Sequence, residues 1–418
     1  MRAFLGARGP RGRRILMLLE NNPYPQDGRV RREAATLTEA GYQVSVICPA
    51  APGQNRTETL NGVRVYRYPA PPGGRGAIGY LLEYGYSLLA ATVISVYLAV
   101  RRGFDVIHAH NPPDLFVLLG GGFKLIGKRF VFDHHDLAPE MYLARFGKPP
   151  DAAGLAHRLL RFFERLSFRT ADHVITTNES YRAIALARGG IAADRVTVVR
   201  NGPDLSRVRL VAPDDELRAQ APSIIGYVGE MGFQDGIDYL LRALHHLKVD
   251  LGLGAFYVVL MGGGDAVPEL RRMCADLGLD GHVRFTGHVS DDTILMRYLS
   301  TADICVSPDP SNAYNDRSTM IKIGEYLALG KPVVAFDLPE HRVTAGEAAV
   351  YATPNNELDF AEKLAGLMDD PERRKHMGEI GRARVANQLG WEHQASSLVA
   401  AYESLGAPGA NQERRSGS

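Results

Sequence analysis

DPSNAYNDRSTMIKIGEYLALGKPVVAFD, residues 309–337, decides the fold. It reads as the end of a strand, a polar loop, a helix capped at Ser318 or Thr319, a stop at Gly330-Lys331-Pro332, and a buried strand from Val333 to Phe336. That is half of a β-α-β unit. A helix that starts at the carboxyl end of a strand points its amides and the positive end of its dipole into the crevice where open α/β sheets bind ligands. Such a place suits an anion. Lys322 lies in the first turns, and Glu325, three residues on, shares its face. A phosphate there would relieve the repulsion between the lysine and the dipole. A solvated surface pair is the plainer alternative.

Outward from this stretch, strand-like and helical runs alternate. ILMLL, QVSVICP, VRVYRY, VIHAH, RFVFDHH, HVITTN and VTVVRN fall between Ile15 and Asn201. After a polar, proline-containing link from Pro203 to Pro222 the pattern restarts with IIGYVGE, AFYVVLMG, HVRFTGHV, DICVSPD, PVVAFD and AVYATP. Short strands alternating with helices imply parallel sheets, and the restart implies two doubly wound α/β domains with a ligand cleft between them. A chain of 418 residues is too long for one core of usual size. Its formal net charge of +1 provides no general attraction for nucleic acid. Cys48, Cys274 and Cys305 form no C-x-x-C pair and read as reduced core residues, which fits a cytoplasmic protein. Residues 1–14 read as a basic flexible arm without the features of a secretory signal. The arm is either inert or drawn to anionic lipid. Residues 407–418 read as a disordered tail.

Several segments bear chemistry. In ENNPYPQDGRVRREAATL, residues 20–37, Gly28 permits close backbone approach to a ligand and Arg29 stands at a helix start, suited to phosphate or an acceptor sugar. His108 and His110 alternate on one strand; Asp133, His134, His135 and Asp136 cluster at the end of another. The histidine cluster His108, His110, His134 and His135 permits a metal-dependent hydrolase. Ala77 to Val100 is apolar enough to be a buried helix, a helix at a membrane surface or a span, with the buried reading preferred because the run leads straight into a strand of the same sheet. GFKLIGKR, residues 122–129, lacks the Ser/Thr of a P-loop and precedes its strand, and GYVGEMG, residues 226–232, has the wrong glycine spacing for a dinucleotide fingerprint.

The run STMIKIGEYLALGKPVVA resembles the donor-binding segment of the family 4 retaining glycosyltransferases, which have the GT-B fold: two Rossmann-like domains facing a central cleft. In that family a glutamate ahead of an A-x-G-x-P-V run binds the ribose of a nucleotide sugar, and Glu325 occupies its place. His135-Asp136 matches the histidine pair beside the transferred sugar, which assigns these two the catalytic role. Gly229 opens the nucleotide domain, Gly28 falls in the family's glycine-rich first loop and is assigned with Arg29 and His110 to the acceptor or phosphate, and Phe285, Gly287 and Val289 match an F-x-G-x-V segment. Two departures stand out. The family's arginine and lysine that hold the donor diphosphate correspond to Glu230 and Asp235, and the first of its two spaced glutamates falls on Arg317. Acids there repel a diphosphate. The expectation is a relocated site made of Arg317, Lys322, Ser318 and Thr319 with the amides of Ser318 to Met320; loss of activity is the alternative.

The resemblance implies domains at 15–203 for the acceptor and 204–385 for the nucleotide sugar, and a helix, 386–406, crossing back to the first domain. It implies transfer, with retention, from a nucleotide diphosphate sugar to a carbohydrate or lipid-linked acceptor in surface polysaccharide synthesis. The setting is cytoplasmic, at the inner face of the plasma membrane, with peripheral membrane contact. No D-x-D element flanks a strand end, so no cofactor and no obligatory metal are expected. A sugar-nucleotide epimerase and a non-catalytic nucleotide-sugar binder are the nearer rivals.

Overall fold

The computed structural model describes residues 13–71, 76–145, 154–289 and 291–405. Most of the expected basic arm, and the expected tail, lie outside these residues, while Arg14 begins the first strand. The chain forms two compact units, one made of Met1–Pro139, Pro149–Arg200 and Gln394–Ser418, the other of Glu140–Lys148 and Asn201–His393.

In the first unit the described strands are β1 (Arg14–Leu18), β2 (Gln43–Pro49), β3 (Thr57–Leu60), β4 (Val63–Tyr68), β5 (Val106–His110), β6 (Arg129–His134), β7 (His173–Thr176) and β8 (Val196–Val198). They form one sheet in the order β3-β4-β2-β1-β5-β6-β7-β8. All neighbours are parallel except β3 and β4. That pair is a hairpin whose turn, Asn61-Gly62, has φ of 48° and 83°, the left-handed values a twisted two-residue hairpin requires. Sequence reading missed β3 because TETL carries too few apolar residues to signal a strand. The order reverses between β1 and β5, so the loops after these two strands flank the crevice.

The second unit has β9 (Ser223–Val228), β10 (Phe256–Met261), β11 (Val283–Gly287), β12 (Ile304–Ser307), β13 (Val333–Phe336) and β14 (Ala349–Ala352), all parallel, in the order β11-β10-β9-β12-β13-β14. Its reversal lies between β9 and β12. The inner strands are buried on both faces, which is why they read as continuous apolar runs and not as alternating ones.

Two expectations need correction. The apolar run forms the helix Gly76–Arg101, but only 22% of its most apolar window is buried. Small residues, Ser87, Ala91 and Ser95, face the protein, and large apolar ones face outward. The last helix is Trp391–Ser404 and begins five residues later than expected, because Val385–Leu389 closes the preceding helix as a π-turn and Gly390 separates the two. From Gln394 the chain belongs to the first unit, where the Tyr402 ring meets Tyr42 edge-on at 5.6 Å.

Candidate active site

Three loops gather at the carboxyl ends of the second unit's central strands. Gly229, at the end of β9, donates its amide to Met261 O (3.0 Å), and Met231 N donates to Gly263 O (2.7 Å). The approach is so close that a Cβ on Gly262 (φ 143°) would lie 1.9 Å from Gly229 O. Only glycine fits there. The third loop follows β12: Asn315 Nδ2 donates to Gln234 O and to Pro310 O, both at 2.9 Å, tying it to the loop after β9.

Next to the end of β9 lies the helix Ile321–Ala328, whose Tyr326 hydroxyl accepts from Val228 N (2.9 Å). It starts later than the sequence suggested: Met320 is the residue before its first turn, and neither Ser318 nor Thr319 caps it. Asn315–Arg317 forms a separate turn of 3₁₀ helix, and the Ser318 amide closes it on Asn315 O (3.1 Å). Ser318 Oγ donates to Tyr314 O (2.8 Å), Thr319 Oγ1 to Glu340 Oε2 (3.2 Å), and Arg317 Nη1 to Ala313 O (2.6 Å). Glu325 is half-buried on the same helix.

Lys322 is not a loose cation. It is 9% exposed, with Nζ 2.7 Å from Asp309 Oδ1 and 4.8 Å above the Tyr227 ring. Burial opposes its charge, yet Asp309 and Asp235 outweigh that and raise its pKa. Asp235 in turn shapes its own loop, its Oδ2 accepting from Gly232 N (2.8 Å) and Gln234 Nε2 (3.1 Å). Burial pushes its carboxyl up to about 6 against the pull of Lys322. The lysine thus balances the buried Asp235. The cationic phosphate site expected from the sequence is therefore only partly formed: the Ser318 amide and the Lys322 charge are already committed. Sequence reading overlooked Asp309, whose pairing is visible only once β12 and the helix are packed.

In the first unit Gly28 opens the helix Gly28–Glu39, and Asp27 caps it by accepting from Val30 N (2.8 Å). A carboxylate thus already occupies the anion-favouring end. Arg29, expected to face phosphate or acceptor, is instead 5% exposed and turned inward. It grips Asp133 in a bidentate pair (2.8 and 2.9 Å), reaches Val199 O (3.0 Å) and lies 3.1 Å from Glu33. Arg29 stands in the first turn of the helix, within reach of the buried Asp133 at the end of β6. Around Asp133 stand His110 (Nδ1 3.1 Å from Oδ2), His108 (Nε2 3.7 Å) and His135 (Nδ1 3.5 Å). Tyr402, from the last helix, places its hydroxyl 2.8 Å from His108 Nδ1.

The electrostatics follow. Burial pushes the Asp133 carboxyl up, but Arg29 and the three histidines together hold it well below the usual range. Burial, opposed only in part by Arg29, raises Glu33 well above it. Burial and the neighbouring His110 lower His108 to about 3. His135, with its side chain 11% exposed, goes the other way, because Asp133 and Asp136 outweigh burial. Its backbone is held with that of Asp136 by one side chain: Asn111 Oδ1 accepts from both amides (2.8 and 3.0 Å), while Nδ2 donates to Asp136 O (2.7 Å). Asn111, next to His110, was not singled out in the sequence.

Glu33, His108, His110 and Asp133 each offer an atom within 4.8 Å of the others, close enough together for a metal centre. They fit poorly. Arg29 donates to the same Asp133 oxygen that a metal would need, and a divalent ion beside its guanidinium would leave a net positive charge at zero exposure even with both carboxylates ionised. The four histidines also do not converge. His134 points to the opposite face of the sheet, 3.5 Å from Glu164 and against Phe168, as strand alternation requires. The hydrolase reading fails on this geometry.

Asp114, in the loop after β5, supplies a pH test. It is 5% exposed, and burial, then Glu164, pushes its carboxyl up to about 8. The folded state keeps a proton that the unfolded chain releases near 3.8, so stability falls as pH rises from about 4 toward 8. Asp114→Asn is expected to raise the melting temperature at pH 8 and leave it unchanged below about pH 4. Parallel thermal melts check this; an equal shift at both ends would contradict it.

Residues 28–202 match the glycosyl transferase 4-like domain family and residues 222–370 the glycosyl transferases group 1 family. Among curated relatives, the 2-deoxystreptamine glucosyltransferase of Streptomyces kanamyceticus is 25% identical over 391 residues, 90% of this chain and 97% of that protein. The MMP alpha-(1->4)-mannosyltransferase of Mycolicibacterium hassiacum is 26% identical over 327 residues, 76% of this chain and 74% of its own. Sucrose-phosphate synthase from Thermosynechococcus elongatus has the same fold, with a TM-score of 0.77 at 22% identity, covering 94% of this chain and 99% of that one. So does Anabaena HepE, solved with UDP and glucose, with a TM-score of 0.70 at 18% identity over 94% and 100%. The two domain matches together take in most of the chain, in the order and at the places of the two units, and the protein belongs to the glycosyltransferases of GT-B fold.

Proposed function

We propose that this glycosyltransferase moves a sugar from a nucleotide diphosphate sugar to a hydroxyl of a carbohydrate or lipid-linked acceptor, with retention, in the building of a surface polysaccharide at the inner face of the plasma membrane. The observation that carries the donor reading is Glu325. It stands on the helix whose Tyr326 hydroxyl accepts from Val228 N (2.9 Å) at the end of β9, next to the β9/β12 reversal, where α/β sheets bind nucleotides. In this reading Glu325 accepts from the ribose hydroxyls and the Gly229 backbone lets the diphosphate approach. Arg317, Ser318, Thr319 and Lys322 meet the phosphates, Arg317 and Lys322 after exchanging a present partner for one.

His135 and Asp136 are proposed to face the sugar, with Asn111 as the clamp that positions both. An imidazole held toward its charged form by Asp133 can donate to a sugar oxygen and stabilise charge that grows as the nucleotide diphosphate leaves. Gly28 then lines the acceptor side, while His110, expected there, is 1% exposed and is instead committed to the buried Asp133, 3.1 Å away. Arg29 acts from beneath, by holding Asp133. No divalent ion is required in this scheme, since helix amides and side-chain cations meet the phosphates.

The test is calorimetric titration with UDP, GDP, ADP and dTDP, each with and without chelator, on the wild type and on Glu325→Ala. One nucleotide is expected to bind tightly regardless of chelator. Loss of charge-assisted hydrogen bonds to ribose should weaken it by about 10- to 100-fold in Glu325→Ala. Binding that vanishes with chelator would refute metal independence, and equal affinity in the variant would remove Glu325 from the site. The anomeric configuration of the product, followed by proton NMR, decides retention.

A further inference from the structure

We propose that one helical face of the first unit docks on the surface of an anionic lipid bilayer. The face is separate from the Arg29–Asp133 network, and the proposal rests on the membrane-borne acceptor reading only for its purpose, not for its physics.

The first observation is a helix built inside out. In Gly76–Arg101 the line of Ser87, Ala91, Ser95 and Leu98 is buried, whereas Leu82, Leu89, Val93 and Val96 are each at least half exposed, as are Tyr97 and Val100. At helical spacing these six lie on one outward stripe that carries no charge. A water-facing helix normally has the reverse arrangement. A span is excluded by the inward line, which is packed under the sheet with Ser87 Oγ 3.2 Å from the buried Glu20.

A second helix, Leu155–Thr170, repeats the theme with charge added. Leu155, Leu159 and Phe162 are 72%, 48% and 56% exposed, and Arg158, Arg165 and Arg169 share their stripe. Its acid, Glu164, is turned inward to Arg188. Between the two, packed against both, is the helix Phe116–Lys124, followed by a turn that exposes Leu125 (89%) and Ile126 (65%). An open groove of about 310 Å³ separates it from the first helix, lined by Leu88, Thr92, Leu118 and Ile126 among others. The three helices lie on one side of the sheet, as their mutual contacts show and as right-handed crossovers stepping in one direction, β4 to β5, β5 to β6 and β6 to β7, require.

Charge decides the occupant. Arginines interleaved with leucines and phenylalanine suit a bilayer interface, where apolar side chains enter the acyl boundary while guanidinium groups stay among headgroup phosphates. A second copy meeting this face across a two-fold axis would set arginine against arginine. An apolar protein partner would have to desolvate the same cations. Anionic lipid satisfies both kinds of side chain.

The test is co-sedimentation of the full chain with vesicles of phosphatidylglycerol and phosphatidylcholine, and with phosphatidylcholine alone, at low and high salt. Two double variants are used, Val93→Glu with Val96→Glu and Arg158→Glu with Arg165→Glu, each checked for an unchanged melt. The wild type should prefer anionic vesicles, lose part of that binding in high salt, and bind roughly tenfold or more weakly in either variant. Transfer to a water-soluble acceptor should be unchanged. Equal binding to both vesicle types, variants that sediment like the wild type, or a dimer that the variants dissociate without loss of vesicle binding would each overturn the proposal. A wild type that docks on anionic vesicles but transfers to no acceptor would support the surface and count against the catalytic reading, so the two fail separately.

Discussion

Arg29→Ala is expected to lower unfolding free energy by about 3–5 kcal/mol, the largest stability loss foreseen for any single side chain of the first unit. The reason is not the pair's own strength, which desolvation largely offsets, but what remains when one member goes. Asp133 is wholly buried at the end of β6, and its remaining neighbours are His108, His110, His135 and the buried carboxyl of Glu33. Without the guanidinium it must either protonate or draw a proton onto an imidazole. Either outcome disturbs His135. Urea titration should therefore find a lower midpoint, and the pH dependence of stability should change below neutrality, where Asp133 now titrates. Arg29→Met combined with Asp133→Asn removes both charges and should recover much of the loss. A double variant as unstable as Arg29→Ala would mean that packing, not charge, carries the effect.

Lys322→Ala should act twice. Asp309, 1% exposed at its side chain, would lose its partner at 2.7 Å, at a cost again of about 3–5 kcal/mol in the second unit. Asp235 would lose the cation that restrains its pKa, leaving two acids beside the proposed diphosphate site and lowering nucleotide affinity roughly tenfold or more. The effects separate in Lys322→Met with Asp309→Asn, which should melt close to the wild type and still bind nucleotide weakly. Unchanged affinity in Lys322→Ala would end the idea that the lysine meets phosphate; an unchanged melt would contradict the ion pair itself.

Much of the fold could be read in advance because buried parallel strands announce themselves as unbroken apolar runs. Thirteen of the fourteen described strands lie, to within a residue, in stretches that read as strands in the sequence, and the exception, β3, is a half-exposed strand held by pairing with β4. The position of Glu325 was legible for a similar reason, since a glycine stop and a strand bracket its helix. The start of that helix was not. Ser318 and Thr319 are good caps by composition, but the chain spends their groups on Tyr314 and Glu340 instead. The outward side of Gly76–Arg101 also escaped the sequence, because apolar length is the same whichever face a sheet covers.

By itself, the amino-acid order determined the two α/β units and the residue types at the carboxyl ends of the strands. These are local or periodic properties, carried by runs, spacing and breaks. Tertiary structure alone decided which charges meet. Arg29 and Asp133 are 104 residues apart, Lys322 and Asp309 only 13, yet neither pair is announced by its spacing. Burial raises the cost of an unmatched charge from slight to several kcal/mol, so the packed interior, not the sequence neighbourhood, selects the partner and sets which groups remain available for a substrate.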